Sequence, residues 1–322
     1  MNGQASKRVS VTVSEFFAAA KDRLHLDLIS GKGGMGRPIL EAAMNRPGLA
    51  LTGFFQYFAH RRIQVFGHAE NAYLASLSER ESEKRIRQVF ERHVPCVVVT
   101  RKRTVLPVIE QLSEEFGTPV LRTPLITMNF VNAATILMEN LMAPRMTVQG
   151  TLMEIQAIGV LIEGRPGVGK SETALGLLRK GHSLVADDVT ALRMDSSGRV
   201  FGTAPGVTRY HMEIRGLGII HVPSLFGVGA VRGEKELDLI ITLQAAGESG
   251  DAAALDEVPS TRDVMGVHVP VVVLPVVPGR DLANLVETAA LDYKLKRLGH
   301  DAAKELDDKL KAVLAGGGTT RD

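Results

Sequence analysis

Short apolar runs and helix-spaced apolar stripes alternate along the first 142 residues. Residues 24–29 form one such run, and residues 94–100 read as a strand. Residues 78–93 and 105–116 carry apolar positions at helical spacing. Ser78, with Glu81 three positions on, has the form of a capping box. Residues 130–142 are again apolar at helical spacing, and Ala143-Pro144-Arg145 punctuates their end. This alternation predicts a small α/β domain over residues 1–142 and a second domain over residues 143–322.

The second domain opens with a predicted strand over residues 147–155, followed by a buried-type strand over 159–163. A helix is predicted over 171–180, with Arg179 and Lys180 in its last turn and Gly181 as its cap. Another apolar strand begins at His182 and ends in two acids, Asp187 and Asp188. Residues 269–277 are nearly continuous β-branched sequence, closed by Pro278-Gly279-Arg280. Asp281 then caps an amphipathic helix predicted over 282–314, with a break near Gly299, before a flexible Gly316-Gly317-Gly318-Thr319-Thr320 tail.

Composition narrows the function classes. A 45% hydrophobic and 23% charged chain is that of an ordinary globular protein, and a net charge of +2 gives no bulk attraction to nucleic acid or membrane. The single cysteine, Cys96, lies in an apolar run, which excludes a disulfide framework and fits a reducing cytoplasm. The first residues lack the apolar core of a signal peptide, and no apolar run is long enough to span a bilayer. The nine histidines are scattered without metal-ligand spacing, which argues against a catalytic zinc.

The chemistry is concentrated in Gly164-Arg165-Pro166-Gly167-Val168-Gly169-Lys170-Ser171, which fits G-x-x-x-x-G-K-[ST] at every fixed position. Glycines let the backbone curl so that successive N–H groups point at phosphate oxygens, and the following helix adds its positive end. Lys170 would reach the β/γ-phosphates and the Ser171 hydroxyl would sit on Mg²⁺. Strand–loop–helix context supports a nucleotide site. Asp187 and Asp188, seventeen and eighteen residues after Lys170, would divide the remaining work, one facing the metal and the other the nucleophile. A second glycine pattern, Gly31-Lys32-Gly33-Gly34-Met35-Gly36, satisfies G-x-G-x-x-G. It lacks an acid about twenty positions on and is followed by Arg37-Pro38, so it reads as a loop entering a helix with Pro in its first turn.

Taken in order, these motifs resemble the HPr kinase/phosphorylase family. The glycine loop with Ser171-Glu172 and Ala186-Asp187-Asp188 carries the resemblance, as does Glu213-Ile214-Arg215-Gly216-Leu217-Gly218-Ile219-Ile220. Leu225-Phe226-Gly227-Val228-Gly229-Ala230-Val231-Arg232 and Pro275-Val276-Val277-Pro278-Gly279-Arg280 match too. In the first domain the match extends through Arg46-Pro47-Gly48-Leu49-Ala50-Leu51-Thr52-Gly53 and Arg62-Ile63-Gln64-Val65-Phe66-Gly67. The resemblance implies a P-loop, phosphoenolpyruvate carboxykinase-like kinase domain and a hexameric assembly. It implies transfer of the γ-phosphoryl of ATP to a serine of the phosphocarrier protein HPr, and the reverse phosphorolysis. By position, Lys170 would stabilise the transferring phosphoryl group and Asp188 would be general base and acid. Ser171 and Glu213 would bind Mg²⁺, with Asp187 beside them. Gln149 and Arg280 complete the expected catalytic set.

Several positions depart from the family pattern. Gln149 stands where the resemblance implies histidine, Ala254 and Val277 where it implies arginine, and Arg165-Pro166 where it implies Asp-Ser. An amide can hydrogen-bond but carries no proton or charge. These changes point to weakened phosphorolysis with the kinase direction kept. The unusual residues 250–261 leave open a kinase acting on another protein or small molecule, and Gln149 with Ala254 leaves open a silent nucleotide-sensing regulator.

Overall fold

The computed structural model describes residues 10–245 and 260–315. The chain divides between Pro144 and Arg145 into two compact units. The sequence features at residues 1–9, Ala254 with most of 250–261, and the glycine-rich tail lie outside the described residues.

In the first unit, β1 (Val11–Thr12) leads into α1 (Val13–Leu24), then come β2 (Asp27–Ser30) and β3 (Pro38–Ile39). There follow α2 (Gly48–Leu51), β4 (Gln64–Phe66), α3 (His68–Ser76), α4 (Glu79–Phe90) and β5 (Val97–Val99). The unit ends with α5 (Pro107–Phe116), β6 (Val120–Arg122) and α6 (Thr127–Met142). Four strands form a sheet in the order β2-β6-β5-β4, with β4, β5 and β6 parallel and β2 antiparallel. Side chains alternate across it. Val65, Val98 and Leu121 pack with Phe16 and Phe130 of α1 and α6, while Phe66, Val97 and Val120 pack with Ile86 and Ile109 of α4 and α5. Cys96 is fully buried in the first of these layers.

Three local expectations change here. The glycine-rich segment makes a 3-10 turn over Lys32–Gly34, and Pro38 then starts β3 rather than a helix. A Cβ on Gly34 would lie 1.9 Å from the Gly117 carbonyl oxygen, so its glycine serves close backbone packing. Ser78 does cap α4, its hydroxyl accepting from the Glu81 N–H at 3.3 Å. The Glu81 carboxylate turns instead to Arg85, 2.8 Å away, so the box is half formed. The predicted strand over 94–100 contracts to β5.

The second unit begins with β7 (Arg145–Gln149), β8 (Thr151–Ile155), β9 (Ile158–Gly164) and α7 (Lys170–Arg179). Next come β10 (Ser183–Ala186), β11 (Val189–Met194), β12 (Val200–Thr203), β13 (His211–Ile214), β14 (Gly218–His221) and α8 (Val222–Phe226). The chain continues through β15 (Lys235–Glu236), β16 (Leu239–Ala245), β17 (Ser260–Val264), β18 (Val267–Val276), α9 (Leu282–Arg297) and α10 (Ala302–Ala315). A six-stranded sheet has the order β10-β8-β9-β16-β18-β17, a four-stranded sheet the order β15-β12-β11-β7, and β13-β14 form a hairpin. In the larger sheet β9, β16 and β18 are mutually parallel, and β10, antiparallel to β8, runs their way. Val160, Ile162 and Leu243 pack on Ala174 and Leu177 of α7 and on Val286 and Ala290 of α9. The opposite face, with Leu152, Leu161 and Ile240, packs on Leu192 and Val200 of the smaller sheet.

The single strand expected over 147–155 is two strands in two sheets. The chain passes between them at Gly150, where a Cβ would lie 2.9 Å from Leu161 Cδ1 and 3.0 Å from the Ile162 carbonyl oxygen. The final helix is also two, α9 and α10, separated by the turn at Gly299, as the glycine in the pattern indicated.

Candidate active site

Four strands running the same way deliver their carboxyl ends to one edge of the large sheet, where open α/β sheets place ligands. β9 ends in the glycine loop. Gly167 and Gly169 have φ of 82° and 104°, values that L side chains adopt only with strain, and the backbone enters α7 directly at Lys170. A Cβ on Gly164 would lie 2.6 Å from the Leu243 carbonyl oxygen of β16, so the loop starts pressed against its neighbour strand. The Lys170 ammonium donates to the carbonyl oxygens of Gly164 and Arg165 at 3.1 and 3.3 Å, which places its charge inside the loop. The Thr173 hydroxyl donates to the Gly169 carbonyl at 2.7 Å and anchors the first turn. Ser171, half-buried, occupies that turn, while Arg165 and Pro166 are exposed on the loop and Val168 packs against the core beneath it.

The two acids after β10 have different surroundings. Asp187 is 8% exposed and accepts from the Thr151 hydroxyl at 2.8 Å and from the Glu213 N–H at 3.3 Å. Burial pushes its pKa up, and the Thr151 hydrogen bond opposes the rise. Asp188 is exposed, with a left-handed φ of 57°. Its carbonyl oxygen accepts the Gly150 N–H at 2.9 Å, and Gln149 pairs with Val189 in the β7–β11 ladder. Gln149 and Asp188, far apart in sequence, are thereby neighbours. Glu213 is exposed on β13, whose Met212 is buried in the core beneath α7. Arg280 is exposed just beyond β18, at the same sheet edge, its N–H bonded to the Val277 carbonyl at 3.2 Å.

Sequence reading did not single out Thr151, the hydrogen-bond donor to Asp187, nor Glu163, which accepts a two-pronged contact from Arg262 beside the loop. No local signal marks either, because both depend on strand pairing. Among the described residues no group of three or more His, Cys, Asp or Glu side chains converges on a metal position. Mg²⁺ bound with phosphates keeps several waters and takes one or two carboxylates, so a set drawn from Ser171, Asp187 and Glu213 suits it chemically.

A glycine loop between a central strand and a helix, with a lysine inside it and two carboxylates just after the next like-directed strand, is the arrangement that the phosphate-loop sequence pattern predicts. The chain belongs to the HPr serine kinase family: residues 11–138 match its N-terminal domain (HPr Serine kinase N terminus) and residues 140–310 its C-terminal domain (HPr Serine kinase C-terminal domain). It is 42% identical over 296 residues to the HPr kinase/phosphorylase of Leptospira biflexa serovar Patoc, covering 91% of this chain and 92% of that one. To the HPr kinase/phosphorylase of Bacillus licheniformis it is 39% identical over 298 residues, covering 92% and 96%. Among solved structures, the HPr(Ser) kinase/phosphatase from Coxiella burnetii aligns with 50% of this chain and 97% of its own, at 35% identity and a TM-score of 0.45.

Proposed function

We propose that this protein is an ATP-dependent serine kinase of an HPr-like phosphocarrier protein. The observation that carries the reading is the shared sheet edge: Lys170 inside the glycine loop at the end of β9, and Asp188 exposed at the end of β10. Asp188 takes the proton from the acceptor serine as its oxygen attacks the γ-phosphorus, and the bond to the bridging oxygen breaks to release ADP. Lys170 and the loop N–H groups of residues 164–171 hold the charge that builds on the phosphoryl oxygens. Ser171 and Glu213, with Asp187 behind them, would hold Mg²⁺, which would supply neutralising charge to the phosphates. Arg280 adds a cation at the same edge.

In the reverse direction Asp188 would act as an acid, and inorganic phosphate would be the attacking group. Gln149 beside it can neither carry a proton nor a charge, and Val277 offers no cation, so we assign weak phosphorolysis to this chain. Retention of Lys170, Ser171, Asp188 and Glu213 together supports an active enzyme over a silent regulator. We assign the chemistry to residues 143–322 and assembly, as a homo-hexamer in the cytoplasm, to the chain as a whole with residues 1–142 contributing. Among the described residues no helix is long and apolar enough to cross a membrane.

The test is incubation of the purified protein with labelled ATP, Mg²⁺ and HPr, beside an Asp188→Ala variant. Phosphoserine on HPr that disappears in the variant supports the assignment. ATP binding without label on HPr overturns the acceptor.

A further inference from the structure

Glu163 is the last side chain before the glycine loop, and its direction is set by strand alternation. Ile162 packs with Ala174 and Leu177 under α7, whereas Leu161 packs with Leu152, Leu192 and Val200 on the other face. Glu163 therefore leaves β9 on the Leu161 face, the side covered by the smaller sheet, in which Gln149 ends β7 and Asp188 immediately precedes β11. Both of its oxygens are engaged. The Thr242 hydroxyl of β16 donates to Oε1 at 2.8 Å, and the two terminal nitrogens of Arg262 donate to Oε1 and Oε2 at 2.6 Å each. Glu163 is 17% exposed and Arg262 44% exposed, so the pair lies at the rim of the edge rather than in the core. Arg262 comes from β17, the far end of the large sheet, with β18 and β16 between it and β9.

A carboxylate one residue before a phosphate loop opposes what the loop is built to do. Uncompensated, it would repel every anion approaching Gly164–Ser171, and partial burial would leave that repulsion poorly screened. A bidentate guanidinium removes the charge and also fixes the carboxylate plane, which an ammonium does less well. We propose that Arg262 is a positioning residue for the nucleotide: clamped on Glu163, it neutralises the carboxylate beside the phosphate loop and thereby sets the affinity for ATP. The role rests on the reading of residues 164–171 as the ATP site.

Calorimetric titration of Mg·ATP into the full chain, with kcat and KM for the kinase reaction, tests it on Arg262→Ala, Arg262→Lys, Glu163→Gln and the Arg262→Ala/Glu163→Gln double variant. Arg262→Ala is expected to weaken ATP binding by roughly 10-fold, the scale of one poorly screened charge, and to raise KM while changing kcat far less. Glu163→Gln leaves the guanidinium unpaired beside the loop and is expected to bind ATP more tightly than wild type, while the double variant returns to wild-type affinity, because neither charge remains. Should Arg262→Ala not fold, an added Arg262→Gln variant takes its place, and Arg262→Lys binding more tightly than Arg262→Gln gives the same answer. Unchanged affinity in Arg262→Ala overturns this role alone. A double variant as weak as the single one also overturns it, since Arg262 would then be a structural latch. A wild type that binds no ATP overturns both this role and the site reading beneath it.

Discussion

The Thr151 hydroxyl donates to Oδ1 of Asp187 at 2.8 Å, joining β8 to the end of β10 directly beneath the proposed reaction centre. With its other oxygen 3.3 Å from the Glu213 N–H, Asp187 is held in place, while the adjacent Asp188 stands exposed in a left-handed conformation. The two acids therefore separate by environment, and the exposed one is the group we propose as the base toward the acceptor hydroxyl. Asparagine tolerates the left-handed region well, so Asp188→Asn removes the base without disturbing the turn. We expect kcat to fall about 100- to 10,000-fold with ATP affinity unchanged. Steady-state kinetics and calorimetry on the same preparation check this, and a parallel loss of binding would count against the assignment.

Gln149 lies beside Asp188 across the β7–β11 ladder, on an exposed strand end. Replacing its amide by imidazole introduces a group that can carry a proton near neutral pH. Gln149→His is expected to raise phosphorolysis of phosphoserine-HPr at least several-fold while altering the kinase rate less. Release of unmodified HPr in excess inorganic phosphate measures it. No gain would place the deficit at Val277 or in residues outside Gln149.

The glycine loop, β9, α7 and the Asp187-Asp188 pair were legible because each is a local pattern: a fixed spacing, a short apolar run, a capped helix. The break at Gly150 was not. Thr147-Val148-Gln149-Gly150-Thr151-Leu152 alternates as one strand would, and only the approach of Leu161 and Ile162 to Gly150 shows why the chain changes sheet there. Pro38 misled in the same way, since proline opens short edge strands as readily as helices. Thr151 and the Arg262–Glu163 pair arise from pairings across the sheet, which no window of sequence contains.

Cys96 is fully buried between the sheet and helices of the first unit, and burial pushes its thiol up to about 12. The thiolate is the reactive form, so at mildly alkaline pH the native protein holds almost none of it. Alkylation by iodoacetamide is expected to be at least about 100-fold slower in the native protein than in denaturant. Mass spectrometry of timed aliquots reads the rate, and comparable labelling in both states would contradict the burial.

Glu287 of α9 ties together two residues at the end of the phosphate helix, lying 2.7 Å from the Lys180 ammonium and 2.9 Å from His182 Nε2. The Lys180 hydrogen bond, then that of His182, holds its carboxyl below the ordinary glutamate range. A depressed carboxyl pKa means that the folded state favours the ionised form. Its stabilisation is complete above the ordinary glutamate value and is lost as pH falls through the depressed one. Glu287→Gln should therefore lower stability at neutral pH by at most about 1 kcal/mol, the upper end for a partly exposed pair. The gap to wild type should close as the solution is acidified below the ordinary glutamate range. Because α9, capped by Asp281, begins two residues after Arg280, loosening this tie should also raise KM for ATP slightly at neutral pH. Denaturant titrations across that pH range provide the check, and a gap that widened in acid would reverse the sign and refute the pairing.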